Sequence, residues 1–120
     1  MKTAIKPSFR FTRTYRLTTK ADYAAVFDKP LKIRQTWFLA LYKKNQKACP
    51  RIGIIVSKRI IKKANARNYL KRLIRETFRA HRASLGKIDL LILARKGCKV
   101  EDKIKLKKEL NSLWQQLLAL

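Results

Sequence analysis

Acidic side chains are scarce in this chain. Asp22, Asp28, Glu76, Asp89, Glu101, Asp102 and Glu109 are the complete set, and they are scattered. A hydrolytic site built from protein alone needs clustered carboxylates, a nucleophile beside a base, or a set of metal ligands. None of these patterns is present, so no catalytic residue and no metal ligand is assigned. Glu101 and Asp102 precede a helical pattern, where the helix dipole accounts for them. The single histidine, His81, falls on an apolar stripe and reads as packed or hydrogen-bonded. Ser57 has no base near it in sequence, and Gly53 and Gly97 stand alone without the spacing of a phosphate loop. Cys49 and Cys98 lie far apart without zinc-ligand spacing, which predicts free thiols in a reducing compartment.

Long apolar runs are missing too. Nothing approaches the roughly 18 to 20 residues that span a bilayer. The N-terminus, MKTAIKPSFRFTRTYR, has charge but no apolar core of a secretory signal. A mitochondrial-type presequence is a second reading, which Pro7 and the aromatic residues fit less well. The expectation is a cytoplasmic protein.

Cations and apolar residues, by contrast, are abundant. Lys and Arg number 31 against 7 acids, a formal charge of +24, and 47% of residues are hydrophobic. The apolar share argues for a folded globule, not a disordered basic tail. At 120 residues one domain with one modest core is expected. So high a charge opposes compaction and favours nucleic acid or an anionic membrane as partner.

The chain divides into a basic arm over residues 1–17, with alternating Phe9, Phe11 and Tyr15, and a single α+β domain over 18–120. Thr19 to Asp22 resembles a capping box that starts a short helix carrying Tyr23, Val26 and Phe27 and stopping before Pro30. Trp37 to Tyr42 is a strand with large residues on both faces, so both are expected to be covered. Asn45 to Pro50 reads as a hairpin turn into the strand Ile52 to Val56. A helix is predicted from about Ala64 to Ala83, closing near Gly86. Ile88 to Ala94 is another buried strand, and Ile104, Leu106, Leu110, Leu113, Trp114, Leu117 and Leu118 recur at helical spacing. With one more strand before or within residues 33–43, the order α-β-β-β-α-β-α gives a single-domain α+β sandwich.

The stretch Arg51 to Arg79 is the most informative. At about 100° per residue, Ala66, Leu70, Leu73, Ile74, Thr77, Phe78 and His81 form a core-facing stripe. Arg67, Asn68, Lys71, Arg72, Arg75, Arg79 and Arg82 fall on the adjoining arc. Like charges at i,i+4 destabilise an isolated helix by a few tenths of a kcal/mol per pair, roughly. A polyanion would offset that repulsion, with guanidinium groups clasping phosphates bidentately and lysines acting as point charges. Asn68 is either a solvated helix residue or a hydrogen-bonding partner for a sugar or base edge. Tyr23 and Phe27, at i,i+4, either pack onto the sheet or form a platform for unstacked bases. Trp114 and Phe78 are expected in the core.

These residues, with Ser57-Lys58-Arg59 and ARNYLKRLIRE from Ala66 to Glu76, resemble the signature of the bacterial ribonuclease P protein subunit. The resemblance runs from about Arg16 to Leu117. It takes in Tyr23-x-x-Val26-Phe27, Arg51-Ile52-Gly53, Ala94-Arg95-Lys96-Gly97 and the terminal Leu-Trp helix. Strand, loop, helix and ARKG in this order and spacing make the signal specific. Two departures stand out. Tyr69 occupies the place of a common Arg, off the basic arc near Glu76, and the approach Ile61-Lys62-Lys63-Ala64-Asn65 resembles one basic-loop branch of the family.

The resemblance implies a ribonucleoprotein endonuclease that removes the 5′ leader of precursor tRNA. The Mg2+ required for catalysis would sit in the RNA subunit, with no cofactor held by the protein. It also implies a two-layer α/β sandwich of the ribosomal-protein-S5-domain-2-like type with a left-handed βαβ crossover. The implied partners are ribonuclease P RNA and precursor tRNA, with no membrane and no obligate protein partner. Lys58, Arg59, Lys62, Lys63, Arg67, Asn68, Lys71, Arg72, Arg75 and Arg79 would contact the RNA subunit. Tyr23, Phe27 and Phe38 would line a cleft for the leader. Neutralising about six phosphates predicts a salt slope near −4 to −5. Two rivals share the composition: a structural RNA-binding protein such as a small ribosomal protein, and a DNA-compacting protein.

Overall fold

A computed structural model of the chain describes residues 15–47 and 49–119. The elements run α1 (Lys20–Phe27), β1 (Leu31–Arg34), β2 (Phe38–Lys44), β3 (Arg51–Ile55), α2 (Ala64–Leu85), β4 (Ile88–Ala94) and α3 (Lys103–Leu118). The fold is α+β in the expected order, around one open mixed sheet.

The strands lie in the order β1-β2-β4-β3. β1 and β2 form an antiparallel hairpin, β2 pairs antiparallel with β4, and β3 runs parallel to β4. Asn45 to Pro50 is therefore not a hairpin turn. It carries the chain past the end of β4, and the Asn45 N–H donates to Lys87 O at 2.9 Å on the way. The reason lies in β4, whose Leu90–Leu93 run is apolar on both faces and takes a central place where both are covered.

Register divides the apolar residues between the faces. Ala40, Ile92 and Ile54 align across the sheet, as do Tyr42, Leu90 and Ile52, and this face packs under α2 and α3. Leu70, Ile74 and Phe78 descend from α2, and Leu106, Leu110, Leu113 and Trp114 from α3, each essentially inaccessible. The rings of Phe78 and Trp114 meet at 6.0 Å and 52°. His81 is a packed histidine: its ring stacks on Trp114, and Nδ1–H donates to Thr77 O at 2.9 Å. The opposite face carries Leu41, Leu91, Leu39, Leu93 and Ile55, covered by Val26 of α1 and by Leu17.

Leu17 enters this cluster because its N–H donates to Ile52 O at 2.9 Å, beside an isolated parallel bridge between Arg16 and Ile52. The last residues ascribed to the basic arm thus belong to the fold. Phe9 and Phe11 lie outside the described residues.

Candidate nucleic-acid interface

Helix α1 is fixed at both ends. At its start Thr19 and Asp22 close a reciprocal capping box: the Asp22 N–H donates to Thr19 Oγ1 at 3.0 Å and the Thr19 N–H to Asp22 Oδ2 at 3.3 Å. Asp22 also faces Arg51 at 3.5 Å, and Arg51 grips Asp89 through Nε at 2.9 Å and Nη2 at 2.7 Å. Partial burial works against the Asp22 carboxylate, but the Thr18 and Thr19 N–H groups and Arg51 together hold its pKa below the usual value. The bond to Asp89 likewise raises the pKa of Arg51. At the other end Lys43 Nζ donates to Ala25 O at 3.1 Å and Asp28 O at 2.7 Å, a cation on the negative pole of the helix.

So held, α1 lays the Tyr23 ring directly on Gly53 of β3. A Cβ at Gly53 would stand 2.9 Å from three atoms of that side chain. Glycine in a strand interior marks such a close approach. Around this contact opens a cleft of about 480 Å³, lined by Arg16, Thr18, Tyr23, Gly53, Ile54 and Arg75. Its floor is the edge of β3, the outer strand of the sheet. Arg75 reaches it from α2, and burial, together with the Arg16 charge, lowers its pKa against the opposing influence of Tyr23. A guanidinium keeps its proton under such pressure, so the cleft presents two cations and one aromatic ring.

Beside the cleft runs the basic surface of α2. Lys58, Arg59, Lys62 and Lys63 are exposed in the preceding loop, Asn68 and Arg72 are exposed on the helix, and Arg67, Lys71 and Arg79 are half-buried. The loop is ordered by the ridge itself: Arg67 Nη1 donates to Ile61 O at 3.0 Å and to Lys62 O at 2.7 Å. Lys63, at the N-cap position of α2, supplies no side-chain cap of its own.

A family model described as Ribonuclease P matches residues 11–118. The chain belongs to the ribonuclease P protein family. It is similar to the ribonuclease P protein component of Pseudoalteromonas translucida (strain TAC 125), 35% identical over 109 residues, which cover 91% of this chain and 78% of that protein. Among solved structures, the RNase P protein from Thermotoga maritima in complex with 1-(4-fluorophenyl)-2-thiourea is 28% identical with a TM-score of 0.74, covering 88% of this chain and 99% of the other. The RNase P protein from Staphylococcus aureus is 25% identical with a TM-score of 0.73, covering 91% and 93%. Membership of the ribonuclease P protein family implies association with ribonuclease P RNA and a part in tRNA 5′ processing.

Two sequence expectations need correction. Phe38 is not a cleft residue: it is wholly buried with Trp37 and Ala40 on the face under α2 and α3, opposite Tyr23. Its parity in β2 decides this. Arg82 is not on the exposed arc: it is 7% accessible, one turn beyond Phe78 on the row of Leu70 and Ile74, with its guanidinium 4.3 Å from the Tyr15 ring. Phe27 remains 49% exposed, one turn along α1 from Tyr23. Arg16, Gly53 and the Asp22–Arg51–Asp89 chain escaped the sequence reading. An isolated glycine inside a strand pattern was the available signal for Gly53.

Among the described residues, no group of three His, Cys, Asp or Glu side chains is placed to hold a metal ion. Cys49 and Cys98 form no disulfide among the described residues. Burial, reinforced by Glu101 and Glu109, pushes the Cys98 thiol up to about 11, which makes it a poor nucleophile. No helix among the described residues is long and apolar enough to cross a membrane.

Proposed function

We propose that this chain is the protein subunit of a ribonuclease P ribonucleoprotein, in which it binds the catalytic RNA along α2 and the 5′ leader of precursor tRNA in the Tyr23 cleft. Bond cleavage belongs to the RNA subunit and its Mg2+; the protein contributes charge and position. The observation that carries this reading is the convergence of Arg16, Arg75 and Tyr23 at the outer edge of β3, beside a separate cationic ridge. Single-stranded nucleic acid is held by aromatic stacking within a basic groove, and folded RNA by clustered phosphate contacts. One molecule offers both, on adjoining surfaces, which suits a protein that bridges two RNAs.

The ridge offsets the repulsion between ribozyme and substrate phosphates. The cleft holds the leader extended, with Tyr23 under an unstacked base and the two arginines on its backbone. Phe27 prolongs the aromatic face by one helical turn. The chain works in the cytoplasm, with no membrane and no obligate protein partner.

Competition binding to the reconstituted RNA–protein complex tests this division of labour. Leader-bearing precursor tRNA is expected to displace labelled substrate at lower concentration than mature tRNA, and Tyr23→Ala is expected to erase that difference. Equal competition by duplex DNA would instead favour a DNA-compacting role.

A further inference from the structure

Tyr69 stands where a cation is common in the family signature, yet it does not leave the site short of charge. Its ring is half-buried against the main core, and two cations from different helices are drawn to it. The Arg72 guanidinium carbon lies 6.0 Å from the ring centroid and Lys103 Nζ lies 5.0 Å from it. Both distances are within the range of cation–π attraction. Arg72 belongs to α2 and Lys103 to the first turn of α3. Neither pairs with a carboxylate among the described residues.

Two further observations give this arrangement direction. The first turn of α3 has no acidic residue, and Lys103 and Lys105 occupy it at the positive pole of the helix dipole. Asp102 is committed to capping the Lys105 N–H at 3.2 Å. Lys107, exposed one turn on, adds a like charge at i,i+4 to Lys103. The start of α3 is thus electrostatically unfavourable in isolation and improves when phosphate approaches. This face is also continuous with the loop before α2: Lys62, Lys63 and Ala66 border the same shallow hollow, about 240 Å³, as Val100 and Glu101 just ahead of α3.

We propose that Tyr69, Arg72 and Lys103 form a phosphate clamp that carries the RNA-binding surface from α2 across onto α3, its ligand the phosphodiester backbone of the ribonuclease P RNA. The aromatic ring gathers two cations that would otherwise repel each other and presents them together. A tyrosine in place of a cation therefore moves the contact instead of deleting it, recruiting a lysine from the neighbouring helix. This inference rests on the function proposed above.

The test uses the full-length protein and its cognate ribonuclease P RNA in salt-dependent binding. Lys103 is exposed, so Lys103→Ala is expected to fold normally, to weaken binding roughly fivefold at physiological salt, and to flatten the salt slope by about 0.7 to 0.9. Tyr69→Leu is expected to lose as much, Tyr69→Phe almost nothing, and the Tyr69→Leu/Lys103→Ala pair no more than the worse single change. The preference for precursor over mature tRNA should stay intact in all of them. An unchanged slope in Lys103→Ala while the wild type binds the RNA overturns the clamp alone. Failure of the wild type to bind that RNA overturns the proposed function and the clamp with it.

Discussion

The Tyr23 ring rests on the bare backbone of Gly53, and any side chain added there would meet ring atoms at 2.9 Å. The atoms contacted are the far end of a side chain that is free to swing, so the fold should survive an added methyl while the ring is displaced. Gly53→Ala is expected to cost about 1 kcal/mol of stability, at the low end of overpacking effects. It should also reduce discrimination between precursor and mature tRNA while leaving the salt slope for ribozyme binding unchanged. Chemical denaturation and paired binding measurements check both parts.

Phe27 and Phe38 should separate cleanly. Phe38→Ala removes a wholly buried ring and is expected to cost about 3 to 5 kcal/mol. Phe27 is 49% exposed, so Phe27→Leu should hold stability within about 0.5 kcal/mol and weaken precursor more than mature tRNA. Equal loss for both tRNAs would place Phe27 in a structural role.

The two phenylalanines also show where the sequence stopped being informative. Their helical and strand settings were legible: Thr19 and Asp22 announced α1, and the run Trp37 to Tyr42 announced a strand with large residues on both faces. Which face Phe38 occupies was not, because β2 has large residues at odd and even positions and parity alone carries no label. The β1-β2-β4-β3 order depends on pairing between distant segments, which periodicity does not encode. Arg82 was misplaced for a related reason. Its stripe is set by the i,i+4 row through Leu70, Ile74 and Phe78, and a cation there became tolerable through Tyr15, which comes from the other end of the chain. Arg67 and Lys71 were recognised as a basic face, but the grip of Arg67 on the preceding loop was visible only in three dimensions.

That grip separates Arg67 from Lys71 in function. Lys71→Ala is expected to flatten the salt slope by about 0.7 to 0.9, the effect of one lost phosphate contact. Arg67→Ala should flatten it comparably and also destabilise the protein by about 1 kcal/mol, through the lost bonds to Ile61 O and Lys62 O. Arg67→Lys keeps the charge but not the fork, so it should recover only part of either loss. Thermal melts beside salt titrations measure the two effects separately.

Asp22 makes α1 sensitive to acid. Its folded-state pKa is lowered, so its contribution is present above the unfolded carboxylate range near pH 4 and disappears as pH falls through the lower folded value. Asp22→Asn is expected to cost about 1 kcal/mol at neutral pH. The gap from wild type should close as pH falls through the lowered folded-state pKa of Asp22. A gap that persists in acid would mean that the carboxylate charge does not anchor the helix. Urea unfolding across this range provides the comparison.

Cleavage of precursor tRNA at low Mg2+, with the RNA subunit alone, the protein alone and the two combined, bears most directly on a protein that positions and an RNA that cuts. The combination is expected to release the 5′ leader far faster than the RNA alone, and the isolated protein to release none. Leader release by rigorously RNA-free protein, or no acceleration on combining the two, would contradict the account.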